Sequence, residues 1–441
     1  MNRQFFRSVC AIAIPVSLQS MLQATFSGVD QIMIGQLGSD YVAAVGFGGK
    51  FASIFLVMVT TVATVAGILV AQYLGQRAKE AVKHTMLVNL ALAGVLAVLF
   101  MAAGLLFPTA IMGLYTDDPG TCQIAAEYLS VLSLGCIPTA GTVVLSVLFR
   151  CMERADFPLF SGITAALLNT GLNYLLIFGK GGFPALGAKG AAAATVVSQA
   201  ANMVILLVLT FVCRESRELA ACRGKIHFAW RQYTGILVPL LIGDLLWILG
   251  ENVYAGIYGH LGTAASAAMT LTYPLQGMLI GILRGLSQAA AVIVGKQLGE
   301  MHFDRSYRSA ERLLVYGGFG CMFLAAVLML ARPFYLELYQ VEPEVKRLTT
   351  QILIAYVLVV FFKVQNMIMG GILQSGGKTN LTFRIGLIGT WGIGVPLGLI
   401  SGFVWNLSIP YVYFILSLVE CVRYAACLVV FRKKQWMVTI K

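Results

Sequence analysis

Apolar residues along the chain fall in long uninterrupted blocks rather than alternating with polar ones, and the blocks recur from one end to the other. A helix of about 20 apolar residues is long enough to cross a hydrocarbon core, and inside that core only helices or closed barrels satisfy every backbone group. Continuous runs without period-two alternation select helices. Twelve are predicted, over residues 10–34, 47–72, 86–112, 123–149, 157–178 and 188–213, then 234–258, 268–295, 312–331, 348–374, 382–403 and 410–431. The expected fold is all-α and integral to a bilayer.

A shift of 224 residues lays the second half of this pattern on the first. It sets Pro15 on Pro239, Gly35-Gln36-Leu37-Gly38 on Gly259-His260-Leu261-Gly262, Leu74-Gly75 on Leu298-Gly299, Leu114-Tyr115 on Leu338-Tyr339, Pro119 on Pro343, and the fourth-helix exit at Arg150 on Gln374. With an even number of helices per repeat both halves enter from the same side, so two six-helix lobes related by a pseudo-two-fold axis along the membrane normal are expected, as in parallel transporter repeats. The N-terminal lobe covers 1–213 and the C-terminal lobe 234–441, joined by a basic linker over 214–233. Such bundles suggest a substrate cleft between lobes that open alternately to each side.

Composition agrees: 59% hydrophobic against 11% charged, with mean hydropathy +0.83, excludes an ordinary soluble enzyme. The net charge of +12 would raise nucleic acid as a partner of a soluble chain, but the membrane accounts for it better and no nucleic-acid partner is expected. Of the 31 Lys and Arg, 22 fall in one set of alternate connections, six (Lys50, Lys180, Lys189, Arg332, Lys346, Arg347) in the other and three within spans. By the positive-inside rule both termini are cytoplasmic. The nine cysteines show no C-x-x-C pair, which argues against a zinc site or a disulfide framework. Arg3 and Arg7 precede an apolar run that continues through Ser27 and Asp30 without a small-residue cleavage site, so it reads as a retained first helix.

An ionisable group at membrane depth costs roughly 2.5 to 3.5 kcal/mol on insertion scales, which makes each a functional candidate. Seven lie within spans: Asp30, Asp244, Glu251, Arg284, Lys363, Glu420 and Arg423. Asp30 stands roughly 20 residues into the first helix, about 30 Å along it, and no basic residue occurs in any span of its lobe. Such an acid favours neutralisation by a proton or a metal cation. Asn169 and Asn173, four apart on the fifth helix, share one face, and with Thr195 on the sixth they complete an oxygen-lined pocket beside Asp30. Amide and carboxylate oxygens are hard ligands, so Na⁺ at Asp30, Asn169 and Asn173 stands beside H⁺ as an alternative; buried Asn residues also tie helices together without binding anything.

In the second lobe Glu251, Arg284 and Lys363 either neutralise one another or serve substrate binding and gating, and Asp244 fits either role. Glu420 and Arg423, three apart, are expected to pair. Pro15, Pro138, Pro239, Pro274 and Pro396 each remove a backbone donor within a span and can kink it, Pro15 and Pro239 at matching repeat positions. Gly394, Gly398 and Gly402, spaced four apart, read as a packing face. Gly376-Gly377-Lys378-Thr379 resembles the end of a phosphate loop, but Ile372 occupies the place of its first glycine and no strand precedes it. The sequence also has neither H-E-x-x-H nor G-x-S-x-G, so no enzyme chemistry is indicated.

Pro15 followed by Val29-Asp30-Gln31-Ile32-Met33-Ile34-Gly35-Gln36-Leu37-Gly38, Ala71-Gln72-Tyr73-Leu74-Gly75, Asn169-Thr170-Gly171-Leu172-Asn173-Tyr174 with Gly190-Ala191-Ala192-Ala193-Ala194-Thr195, and Leu373-Gln374-Ser375-Gly376-Gly377-Lys378-Thr379 together give the chain a resemblance, nearly end to end, to the multidrug and toxic compound extrusion (MATE) family. The resemblance implies secondary active efflux of organic, often cationic and amphipathic compounds from the cell across the plasma (inner) membrane, by antiport against H⁺ or Na⁺ and without a cofactor. The first-lobe residues Asp30, Asn169 and Thr195 resemble the site of the DinF-like branch; Asn173 stands where that branch often carries Asp, and Asn cannot titrate. A small-molecule substrate, the lipid bilayer as environment and a monomeric state are expected. The alternatives are a flippase for a lipid-linked or anionic substrate, motivated by Arg284 and Lys363, and a non-transporting scaffold or receptor.

Overall fold

The computed structural model describes residues 3–222, 229–337 and 341–440. Its spans are α1 (Arg3–Gly35), α2 (Ser39–Gly75), α3 (Lys79–Leu106), α4 (the pair Pro119–Ser133 and Cys136–Cys151), α5 (Asp156–Phe178), α6 (Ala188–Val212), α7 (Trp230–His260), α8 (Thr263–Gly299), α9 (Phe303–Glu337), α10 (Pro343–Ser375), α11 (Thr379–Val404) and α12 (Ile409–Arg432). Eleven are single helices long and apolar enough to cross a membrane, and the bent pair α4 makes the twelfth. No strand occurs among the described residues.

Most helices run beyond their apolar blocks. α2 holds 37 residues where 47–72 was expected, because helical hydrogen bonding continues through polar turns that hydropathy leaves out. Two spans differ in kind. α4 was expected to be continuous over 123–149, but it bends by 50° between Ser133 and Cys136, where Gly135 is followed by Pro138, which supplies no backbone N–H. At the matching positions α10 carries Val359 and Phe362 and runs unbroken through 33 residues. α11 is α-helical over Thr379–Leu387 and Val395–Leu399 and π-helical over Ile388–Gly394 and Ile400–Val404. Pro396 removes a donor from this helix, which relaxes into wider turns.

The repeat is legible in backbone conformation. Gly38 (φ 113°) precedes α2 and Gly262 (φ 112°) precedes α8, in a region open to glycine; Arg77 and Met301 both follow their helices at φ 59°; Glu153 and Gly377 turn at φ 60° and 73°. Pro119 and Pro343 each open a helix, where a missing N–H costs nothing. The Leu338-Tyr339 match lies outside the described residues.

Two compact units emerge, one of Leu18–Phe228 and the other of Met1–Ser17 with Ala229–Lys441. The division thus falls within α1, just past Pro15. Residues before it pack with the second unit because Gly285 leaves α8 bare where Ala13 and Ser17 pass; Ser17 donates to the Ile282 carbonyl, and Phe6 meets Tyr316 edge-on.

In the first unit, small residues on α6 admit α5 at close range: a methyl on Gly190 would stand 2.5 Å from the Leu176 carbonyl oxygen. In the second, Ser287 of α8 donates to the Met367 carbonyl of α10 at 2.7 Å. The expected packing face of α11 is present, with Gly394 against Tyr254, Gly398 against Ile257 and Leu416, and Gly402 against Ile257.

The expected linker 214–233 opens as a short helix, Arg214–Ala221; its residues 223–228, with Arg223 and Lys225, lie outside the described residues. Glu218 on this helix accepts from Lys79 at 2.8 Å and from Arg214 at 3.2 Å, and Lys83 donates to the Cys222 carbonyl at 2.8 Å. The bond to Lys79 and its charge hold the Glu218 carboxyl below its ordinary value of 4.5. A depressed carboxyl stabilises its contact above that value and loses the contribution as pH falls through the lower folded one. Amide exchange protection over 214–221 should therefore be unchanged from neutral pH down to 4.5 and fall at more acidic pH; a Glu218→Gln variant should show the lower protection throughout.

Candidate functional site

The face shared by Asn169 and Asn173 meets Asp30 from α1 and Thr195 from α6, so the four residues converge within the unit of Leu18–Phe228. Asn173 Nδ2 donates to Asp30 Oδ1 at 2.7 Å. Asn169 and Asn173 are 9% and 1% exposed, while Asp30 is half-buried. Among the described residues no Lys, Arg or His forms an ion pair with Asp30.

The Asn169 amide has two orientations with different meanings. In one, its Oδ1 accepts from Asn173 Nδ2 at 3.3 Å and its Nδ2 lies 3.4 Å from Thr195 Oγ1. That places an acceptor against Asp30, an arrangement an ionised carboxylate opposes. Turned over, Asn169 brings its nitrogen to 3.1 Å from both Asp30 oxygens, and the carboxylate is then held by two amide donors. The turned orientation is the one an ionised Asp30 requires; the other suits a protonated carboxyl, whose O–H donates to the amide oxygen. Thr195 Oγ1 itself donates to the Ala191 carbonyl at 3.0 Å.

Asn173 Oδ1 is buried with no partner among the described residues. A buried acceptor left open beside a carboxylate is costly, and it is relieved by a donor or a cation at that point. Asn173→Leu removes both the acceptor and the strongest hydrogen bond to Asp30. Hydrogen bonds to charged groups contribute about 1.5–3 kcal/mol, so substrate export in vesicles should fall about tenfold or more at unchanged protein level.

Tyr128 was not singled out from the sequence. It is 8% exposed, packs with Ile34, Ile177 and Ala191, and lies within electrostatic reach of Asp30. Only a fold that stacks α4 on α1 and α6 brings it there, so no local pattern announces it.

For the second-lobe candidates the sequence leaves two roles open, mutual neutralisation and substrate binding or gating. Glu251, Arg284 and Lys363 make no ion pair with one another among the described residues, and all three are exposed; Glu251 lies within electrostatic reach of Lys363, Glu420 and Arg423. Asp244 is half-buried. Glu420 and Arg423 pair at 3.2 Å as expected, and Asn366, unremarked in the sequence, donates to Glu420 Oε2 at 2.7 Å. Gly386 and Gly389 of α11 make room for the Arg423 side chain. Pro15 and Pro239 lie inside α1 and α7, which remain helical through them.

Comparison with known proteins agrees with this architecture. The MatE family model matches residues 15–175 and again 239–400, one match per repeat. A probable multidrug resistance protein NorM of Bacillus subtilis (strain 168) is 25% identical over 409 residues, covering 91% of this chain and 89% of that protein. Its namesake in Synechocystis sp. is 29% identical over 430 residues, with 91% and 89% covered. Crystal structures of MATE in bent and straight conformations share the fold, with TM-scores of 0.87 and 0.88 at 17% identity, over 98% and 97% of this chain and 95% of those chains. The chain is a multi-pass membrane protein and belongs to the MatE family of multidrug efflux transporters.

Proposed function

We propose that the protein exports organic, cationic and amphipathic small molecules across the plasma membrane in exchange for inward-moving H⁺ or Na⁺, as a monomer with both termini cytoplasmic and without a cofactor. Asp30 is the coupling acid. The observation that carries this reading is a partly buried carboxylate held by the Asn173 amide at 2.7 Å, with no cation paired to it among the described residues. The distribution of Lys and Arg supports the orientation, and the NorM names of the relatives support the substrate class.

Coupling follows from what neutralisation does locally. A proton on Asp30 turns the Asn169 amide, whose oxygen then accepts from the Asp30 O–H while its nitrogen donates to Thr195 on α6, so charge on α1 is read out between α5 and α6. A sodium ion would instead use the Asp30 carboxylate with the amide oxygens of Asn169 and Asn173, the open Asn173 oxygen among them. Because only one of these groups titrates, a single elementary charge per cycle is expected from this site. The pattern is that of the DinF-like branch, with Asn173 in place of the second acid.

Proteoliposomes loaded with a fluorescent cationic dye, under imposed proton or sodium gradients, test this reading directly. Dye movement driven by one of the two gradients supports it, and movement indifferent to both refutes coupling. A second reading, export of an anionic or lipid-linked substrate, is favoured by exposed Arg284 and Lys363 within spans, since a cation at that depth faces a polar cavity or pays to face lipid. Inhibition of dye export by anionic but not cationic competitors would favour it.

A further inference from the structure

Far from Asp30 in sequence, the unit containing 229–441 encloses a half-open cavity of about 670 Å³, walled by the α7–α8 corner, the first turns of α10, the π-helical end of α11 and the connection to α12. Its lining mixes two chemistries. Glu344 and Arg347 of α10 face it with His260 and Asn406, while Ile257, Leu348 and Phe403 supply apolar wall. Neither Glu344 nor Arg347 forms an ion pair among the described residues, although they stand one turn apart on the same helix face. His260 is oriented from both sides, its Nδ1 3.0 Å from the Gly256 carbonyl and its ring edge-on to Phe403 at 5.4 Å.

The surroundings of the cavity are those of a membrane interface. Phe403, Val404, Trp405 and Tyr411 are 48%, 68%, 55% and 65% exposed, a cluster of large apolar and aromatic side chains at helix ends of the kind that sits at headgroup level. By the alternation of spans these ends lie on the face opposite the basic connections, the outer leaflet in the proposed orientation. A ligand for this cavity needs an anionic group for Arg347, a cationic group for Glu344 one turn away, and an apolar portion that leaves along Phe403 and Tyr411.

We infer that this cavity is a binding site for the headgroup of a zwitterionic phospholipid, with the phosphate on Arg347 and the ammonium on Glu344. Side chains three apart on a helix have Cβ atoms about 5–6 Å from each other, a span that a phosphate and an ammonium joined by two carbons can bridge. The acyl chains lie against the exposed residues at the end of α11. Bound there, the lipid joins the α7–α8 corner to the α11–α12 connection, and so stabilises the outward end of the second unit. Anionic lipids satisfy only half of the site, and soluble zwitterions lack the part that contacts Phe403 and Tyr411.

The test is lipid binding to the purified full-length protein in detergent, read by native mass spectrometry during titration with short-chain phosphatidylethanolamine or phosphatidylglycerol. Saturable binding of phosphatidylethanolamine is expected. Arg347→Gln should weaken both lipids about tenfold, as loss of a charge-assisted bond does; Glu344→Gln should weaken phosphatidylethanolamine about tenfold and spare phosphatidylglycerol. Both residues are exposed, so the variants should keep the wild-type size-exclusion profile and melting temperature in lipid-free detergent. Wild-type affinity in the double variant would overturn the assignment, as would displacement of the lipid by an equal concentration of water-soluble phosphoethanolamine, which would make the cavity a site for soluble zwitterions. Neither result depends on whether Asp30 couples transport.

Discussion

Asp30→Asn is expected to insert, fold and bind dye, yet export nothing above background. Asparagine has the shape of a carboxyl group that has lost its charge, so the variant imitates one end of the coupling cycle permanently. The Asn173 amide, which donates to Asp30 at 2.7 Å, keeps an oxygen acceptor. Stability should therefore change little, whereas the ability to alternate between charged and neutral states is gone. Coupling free energies between linked sites run at about 1–3 kcal/mol, a 5- to 150-fold effect, so dye efflux from vesicles should drop by up to roughly 100-fold. Export at the wild-type rate by this variant, at matched protein level, would remove Asp30 from the mechanism.

The second large effect concerns how the site is built. Gly190→Leu should separate α5 from α6 and abolish both export and much of the thermal stability. A Cβ at this position would come within 2.5 Å of the Leu176 carbonyl oxygen and 3.1 Å of the Ile177 nitrogen. These are backbone atoms of a helix and cannot swing aside as a side-chain tip would. Overpacking a well-packed core typically costs about 1–3 kcal/mol, and here the displaced helix carries Asn169 and Asn173. Gly171 on α5 has nothing near its missing side chain, so Gly171→Ala should leave melting temperature and export close to wild type and serve as the control. Equal melting temperatures for Gly190→Leu and wild type would show that the α5–α6 approach does not hold the site together.

Much of this arrangement is legible in sequence because a bilayer leaves the chain few options. Apolar block length reports spans almost directly, and a repeat without gaps carries its punctuation with it: Gly38 and Gly262, Arg77 and Met301 adopt matching left-handed turns. The pairing of Asn169 with Asn173 and their meeting with Asp30 and Thr195 were readable because helical spacing fixes a face and α5 and α6 are joined by a short connection. Features that depend on packing between helices distant in sequence were not. Nothing local to Tyr128 points to Asp30, and Asn366 looks like an isolated amide until α12 brings Glu420 to 2.7 Å. The bend in α4 had a local signal, Gly135 with Pro138, but hydropathy averages over it. The π turns of α11 follow from Pro396 only once the helix is known to continue through it. For Glu251, Arg284 and Lys363 the sequence offers both mutual neutralisation and a role toward substrate; Glu251 comes within electrostatic reach of Lys363 while no ion pair joins the three among the described residues, and charge complementarity in sequence does not fix such distances.

The central claim, that neutralising Asp30 and binding substrate are linked, is tested most directly by adding a cationic dye to the purified protein in weakly buffered detergent and measuring what is displaced. With wild-type protein, dye binding should release one proton, or one sodium ion from protein pre-equilibrated with labelled Na⁺, and the Asp30→Asn variant should bind dye and release neither. Release of the same ion in the same amount by the variant would contradict the account.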